Sequence, residues 1–231
     1  MNGSEFLKDA IDPELWLDKS AGLRRSGNRL WECFVEATLR SARQYKANND
    51  IAGGDLWAEG WDYLTSAKSL YGLSTETALK AYMLQHRPEE IELKLTADGS
   101  GVIQSAELKQ FGVHLGSSHN LEQLAQPTGI LTLASNPVFK SESDLLILRE
   151  ILRDLSEVVY WRGRYPVPTK SGDGHQPSPD VPAKAFVHNI RDWLDPMLDY
   201  FQAEHAPVDN FNDATVRISR GVNSESSESE A

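Results

Sequence analysis

Tyr160, Trp161, Arg162, Gly163, Arg164, Tyr165 and Pro166 close a strongly apolar stretch with two guanidinium groups set among aromatic rings. Planar cations beside π-faces suit a phosphate or a stacked base, because arginine offers a fork of donors and also stacks. The same two arginines can instead satisfy free carbonyls at the end of the preceding helix. Tyr165 and Pro166 suit a chain reversal held by packing. Glu76 and Lys80 stand four residues apart, the spacing of an ion pair on one helix face. On a surface such a pair contributes about 0.2–0.5 kcal/mol; buried, it would bridge to another element, with Arg164 as one candidate partner. His119 sits in Ser118-His119-Asn120-Leu121. It serves there either as a helix-start residue bonded to local backbone or as a proton carrier.

Thr96 to Glu107 has the outline of a calcium loop. Asp98, Ser100, Gly101 and Glu107 stand at ligand and turn positions, but Thr96 occupies the place of the first aspartate. Losing that ligand removes a charge and the anchor of the coordination sphere, so a hairpin or loop with a glycine-rich turn is the expectation. Elsewhere the sequence carries no phosphate-binding loop, no dinucleotide-binding turn, no cysteine–histidine zinc spacing and no nucleophile elbow. Neither a metal nor a cofactor is expected.

The elements that must position these residues are mostly helices. The chain has 231 residues, a formal net charge of −11, 40% apolar and 25% charged residues, an ordinary globular composition. A net charge of that sign excludes nucleic-acid binding by the surface as a whole. Residues 21–47 nevertheless hold Arg24, Arg25, Arg29, Arg40, Arg43 and Lys46 against Glu32 and Glu36, which is either a basic face or an ordinary solvated one. Cys33 is the only cysteine, so no intramolecular disulfide forms, and its apolar neighbours suggest a buried thiol in a reducing cytoplasm. No apolar run reaches the roughly 18 residues of a membrane span.

Residues 1–26 read as a loosely packed lead-in with a short helix at Pro13–Lys19, capped by Asp12. Apolar residues at three- and four-residue steps predict a first long helix from Asn28 to about Ala47. A second runs from Asp55 to about His86, with Gly72 marking either a close contact or a kink. Ile91, Leu93 and Leu95 alternate as a short strand, and Asp98 to Gly101 forms a turn. Asn120–Gln126 is a short helix stopped by Pro127. Ser141 or Ser143 caps a helix to about Trp161, and a last helix spans Ala183–Ala203, bent or restarted at Pro196. The expected fold is all-α: an antiparallel helical bundle of four to five main helices with an irregular central insertion. Residues 27–205 form the helical domain, with the insertion at 88–117. Residues 206–231 are an acidic, serine-rich tail of disordered composition.

Three segments, in order, resemble HEPN domains. Glu76-Thr77-Ala78-Leu79-Lys80-Ala81 is similar to the signature on their second helix. Ser118-His119-Asn120-Leu121 is similar to the segment that opens their next short helix, and Arg164-Tyr165-Pro166 to the turn before the final helix of one branch. The resemblance spans residues 28–204. It implies a helical bundle that forms homodimers and associates with RNA or nucleotides, with many members acting as metal-independent ribonucleases in toxin–antitoxin or phage-defence systems. Their catalytic mark is an arginine followed four to six residues later by histidine. Here Arg162 and Arg164 precede His175 by thirteen and eleven positions, and Arg191 follows His188 and precedes His205 by fourteen.

The expectation is therefore a non-catalytic HEPN-like module that binds RNA, a nucleotide or a protein partner such as an antitoxin. Arg162, Arg164, Tyr165, His119, Glu76 and Lys80 are its candidate binding residues. Two alternatives stay open. One is a ribonuclease whose pair comes from separate segments, for example Arg164 with His119 or His188. The other is a protein-only scaffold whose basic residues are caps and ion pairs.

Overall fold

Asp12 and Pro13 start the longest helix. The Asp12 carboxylate accepts the Glu14 amide at 3.0 Å, and Pro13 fills the first helical position, where no amide hydrogen is needed. The computed structural model describes residues 3–48, 54–111, 113–114, 119–162, 179–182, 184–187 and 189–204. In it α1 (Gly3–Ala10) leads into α2 (Pro13–Asn48). The described part of the expected lead-in is thus helical and packed, with Ala10, Leu17 and Ser20 buried. Gly27 is a site of close approach: a β-carbon there would stand 3.0 Å from the Tyr71 ring.

α3 (Gly54–His86) is continuous through Gly72 and runs antiparallel to α2. Ser20 meets Ser74, Asn28 accepts the Tyr71 hydroxyl at 2.9 Å, and Gly60 lies against Phe34 and Ala37. Burial pushes the Tyr71 phenol well above its usual range. Ser20 and Ser74 exchange hydroxyl-to-carbonyl hydrogen bonds at 2.8 and 2.9 Å. Both side chains are buried, so Ser74→Ala leaves a buried Ser20 hydroxyl with fewer partners. The Ser20 hydroxyl keeps its bond to the backbone carbonyl of residue 74, so the expected loss is about 0.5–1.5 kcal/mol, to be read from urea unfolding midpoints.

The central stretch corrects the all-α expectation. β1 (Ile91–Ala97) and β2 (Ile103–Phe111) pair antiparallel, and a two-residue β3 (Val113–His114) extends the sheet on the β2 side. The chain is mostly helical with a small antiparallel sheet. Ile91 and Leu93 turn inward, as their alternation predicts. β2 lacks that alternation and takes its place from register, with Ile91 opposite Phe111 and Lys94 opposite Glu107. The calcium-loop outline resolves as a hairpin, with Thr96 opposite Ser105 inside the ladder. At the turn, Gly101 adopts a φ of 86°, which favours glycine.

The Asp98 carboxylate accepts from the Ser100 hydroxyl at 2.6 Å and from the amides of Ser100 and Val102 at 2.9 and 3.0 Å. The Gln104 side chain adds a fourth bond at 2.8 Å. These donors, the Ser100 hydroxyl foremost, lower the carboxyl from its ordinary 3.8 to about 2. A depressed acid stabilises the fold above its ordinary value, and that contribution disappears as pH falls through the folded one. The hairpin amides of Ser100 and Val102 are expected to keep their protection until pH nears about 2. Asp98→Ala should lose that protection at neutral pH, as hydrogen exchange would report.

Asn120 caps α4 (Leu121–Ala125) by accepting the Gln123 amide at 3.1 Å, and Ser141 caps α5 (Glu142–Glu157) by accepting that of Asp144, also at 3.1 Å. α5 passes into a π-helical turn, Val158–Arg162. α6 (Lys184–Val187) and α7 (Ile190–Ala203) follow. The last helical region is therefore interrupted ahead of Ile190, and Pro196 lies inside α7 rather than at a restart. One core joins these elements: Tyr71, Leu79 and Met83 of α3 with Leu121 and Leu124 of α4, Leu148, Ile151, Leu152 and Leu155 of α5, and Leu194 and Met197 of α7.

Candidate functional site

Glu76, Lys80 and His119 meet where α3 faces the start of α4. Glu76 and Lys80 are one turn apart on α3, and both are buried at 6% exposure. Lys80 Nζ donates to Glu76 Oε1 at 2.5 Å. The other carboxylate oxygen, Oε2, lies 2.9 Å from His119 Nδ1. A carboxylate can only accept, so Nδ1 carries the hydrogen and donates it. In the neutral imidazole this leaves Nε2 as the basic nitrogen, and the His119 side chain is one-third exposed.

Burying an ammonium costs several kcal/mol unless it is paired and hydrogen-bonded. Lys80 has further compensation beyond Glu76. Its Nζ lies 5.7 Å from the Trp16 ring centroid and 5.4 Å from that of Phe111, within cation–π reach. The two rings pack edge to face at 5.4 Å, and Trp16 Nε1 donates to the Ala10 carbonyl at 3.1 Å. The start of α2 and the end of β2 thus converge on one lysine. Neither Trp16 nor Phe111 was indicated by the sequence. Nothing local in a sequence joins positions this far apart.

His119 is positioned from both sides. Asn120, its neighbour, caps α4, and the Leu121 amide donates to the Ser156 hydroxyl of α5 at 2.9 Å. α5 is tied to α3 by a buried pair, Lys68 Nζ to Asp154 Oδ2 at 2.8 Å. One turn further along α3, Gly72 lies against Leu155 and Val159. The two helices run in the same sense here. Arg162 ends the π-helical turn three residues beyond Val159, as Glu76 stands four residues beyond Gly72.

Of the six candidate residues, Glu76, Lys80 and His119 come together. Arg162 is placed by its backbone alone; Arg164 and Tyr165 lie outside the described residues, as do His175, His188 and His205. The remaining basic candidates are largely committed. Arg153 makes a bidentate contact with Glu122 at 2.6 and 2.8 Å and also reaches Glu150. Those bonds, Glu122 first, raise its pKa further. Arg149 donates to the Leu131 carbonyl at 2.6 Å. Arg24 bridges Asp195 and Asp199, Arg29 reaches Glu32, and Arg40 faces Glu59 at 3.6 Å. Half of the basic cluster in residues 21–47 is therefore neutralised by carboxylates.

A shallow cleft of about 470 Å³ opens between α2 and α7, lined by Trp31, Arg191, Asp192, Asp195 and Pro196. Its charges are internally matched, with Arg191 donating to Asp195 at 2.9 Å. Cys33 is half-buried, less enclosed than its neighbours suggested. Among the described residues, no helix is long and apolar enough to cross a membrane. Compared with known protein families, curated proteins and solved structures, the chain matches none.

Proposed function

We propose that the chain is a HEPN-like helical bundle that binds RNA or a nucleotide without cleaving it, and that it works as a homodimer. One observation carries this reading. Residues from two of the three resembling segments, Glu76 and Lys80 from one and His119 from the other, close into a single hydrogen-bonded cluster. The helix that leads to the third segment runs alongside it. His119 lies at the exposed edge of this cluster, and the Arg162–Tyr165 stretch supplies the cations for phosphate. Lys80 is a positioning residue: its ammonium is held by Glu76 and two ring faces and is not available to a ligand.

The non-cleaving reading rests on spacing: no arginine in the chain is followed four to six residues later by histidine. Metal-free cleavage of RNA needs a base for the 2′-hydroxyl proton and a cation on the phosphate, both within hydrogen-bond reach. Among the described residues, Lys80 shares Glu76 with His119 and is already committed to it. One feature favours a second reading, an atypical ribonuclease: Glu76 on Nδ1 leaves Nε2 of His119 in the basic form a catalyst would use.

The two readings separate in a single assay. A labelled single-stranded RNA is incubated with the full chain in EDTA. The proposed module leaves the RNA intact while retarding it on a native gel. Cleavage that survives EDTA and disappears in His119→Ala would establish the ribonuclease reading instead. Intact RNA without retardation at low salt would favour the protein-only scaffold, in which the ion pairs of Arg24, Arg153 and Arg191 are purely structural.

A further inference from the structure

We propose that a second copy of this chain docks on the outer half of the α2–α3 hairpin. Arg24, Trp31, Val35 and Leu39 follow at steps of seven, four and four residues, so they share one stripe of α2. Trp61, Lys68 and Gly72 share a stripe of α3 at steps of seven and four. The inner members of both stripes are covered. Arg24 is held by Asp195 and Asp199 of α7, Lys68 by Asp154 of α5, and Gly72 by Leu155 and Val159. α5 and α7 touch each other, so both stripes lie on the same side of the hairpin.

Beyond α5 and α7 that cover stops among the described residues. Val35, Leu39 and Trp61 are 40%, 50% and 50% exposed. The opposite side of the outer hairpin is polar, with Arg40 facing Glu59 and the Tyr63 hydroxyl donating to Glu59 at 3.0 Å.

The charges around the apolar stripe point to its occupant. Glu32, Val35, Leu39 and Arg43 follow at three-, four- and four-residue steps on the exposed side of α2. An acid stands at one end, a base at the other, and two apolar side chains lie between. Glu32, bonded at 2.8 Å to Arg29 of its own helix, keeps its second oxygen for another donor. Turned about a two-fold axis, this stripe is complementary to itself. Val35 of one copy faces Leu39 of the other, and Glu32 then falls within one residue of Arg43. Self-complementarity of this kind defines an isologous dimer contact.

From Glu32 to Lys46 the helix extends about 21 Å, and two helices side by side are about 20 Å wide. Each copy therefore contributes roughly 400 Å² of face, a total of roughly 800–1,000 Å² with interdigitation, at the small, transient end of protein interfaces.

This inference rests on the homodimer part of the proposed function and not on its ligand. Sedimentation velocity of the full chain, from about 1 to about 100 µM, tests it. A reversible monomer–dimer equilibrium is expected, and Leu39→Asp should weaken it at least about tenfold. Glu32→Arg and Arg43→Glu should each weaken it, and the double exchange should restore it. All three side chains are exposed, so circular dichroism melting should stay unchanged. A monomer at every concentration would overturn the homodimer reading itself. A dimer indifferent to Leu39→Asp and to both charge changes would overturn only this surface.

Discussion

Glu76→Ala is expected to cost about 3–5 kcal/mol of stability, the largest effect of any single substitution considered. The alanine leaves the Lys80 ammonium buried with two aromatic faces and no anion, and it removes the acceptor of His119 Nδ1. Lys80→Met should cost less, because Glu76 keeps His119 as a donor. Combining Glu76→Leu with Lys80→Met should recover most of the loss, since a buried pair replaced by apolar groups of similar volume is often close to neutral. A double-mutant cycle from guanidinium unfolding yields the coupling directly. If each single change costs less than about 1 kcal/mol, the pair behaves as an exposed one and its burial is refuted.

Gly72→Ala tests the contact that sets α5 on α3. At an unpacked helix position, exchanging glycine for alanine stabilises by about 1 kcal/mol. Here the new methyl would overlap a Val159 methyl and stand 3.4 Å from the Leu155 carbonyl oxygen. Overpacking of this kind costs about 1–3 kcal/mol, so the sign reverses and the variant should be less stable. Val159→Ala in the same chain removes the overlapping methyl, and the double variant should regain part of the loss. Thermal melting of the three variants checks this. Stabilisation by Gly72→Ala alone would contradict the close approach.

Both effects bear on function through geometry. Gly72 brings the π-helical turn against α3, and Glu76 fixes His119 one turn further along. A shift of α5 would displace Arg162 relative to His119 before it unfolded anything. RNA retardation by Gly72→Ala should therefore fall at temperatures where the variant is still folded.

Local chemistry made much of this legible in the sequence. Asp12, and Ser141 as one of two candidate serines, are caps because a short polar side chain next to an apolar helical stripe has few other uses. Ile91 and Leu93 announced a strand by alternation, and Asp98 to Gly101 announced its turn. What stayed hidden was long-range. Residues 1–26 read as a loose lead-in, yet from Pro13 they belong to α2, and Gly27 lets the Tyr71 ring approach closely. β2 could not be read because its partners, and not its own pattern, make it a strand. Pro196 read as a bend or a restart in the last helix; there is no restart there, and the interruption lies ahead of Ile190. At the candidate site, the four-residue spacing of Glu76 and Lys80 offered both a surface pair and a buried one. Only the arrival of Trp16, Phe111 and His119 from three other segments decides between them.

The central claim, that the module binds RNA through phosphate at this site, is tested most directly by salt. Fluorescence anisotropy of a short labelled single-stranded RNA should be followed with the full chain from about 50 to about 200 mM monovalent salt. Phosphate contacts release counterions, so affinity should fall linearly on a double-logarithmic plot with a slope of about −0.7 for each phosphate engaged. Arg164→Ala should make that slope shallower by roughly one contact. Binding that is flat with salt, or undetectable at the lowest salt, would contradict the account.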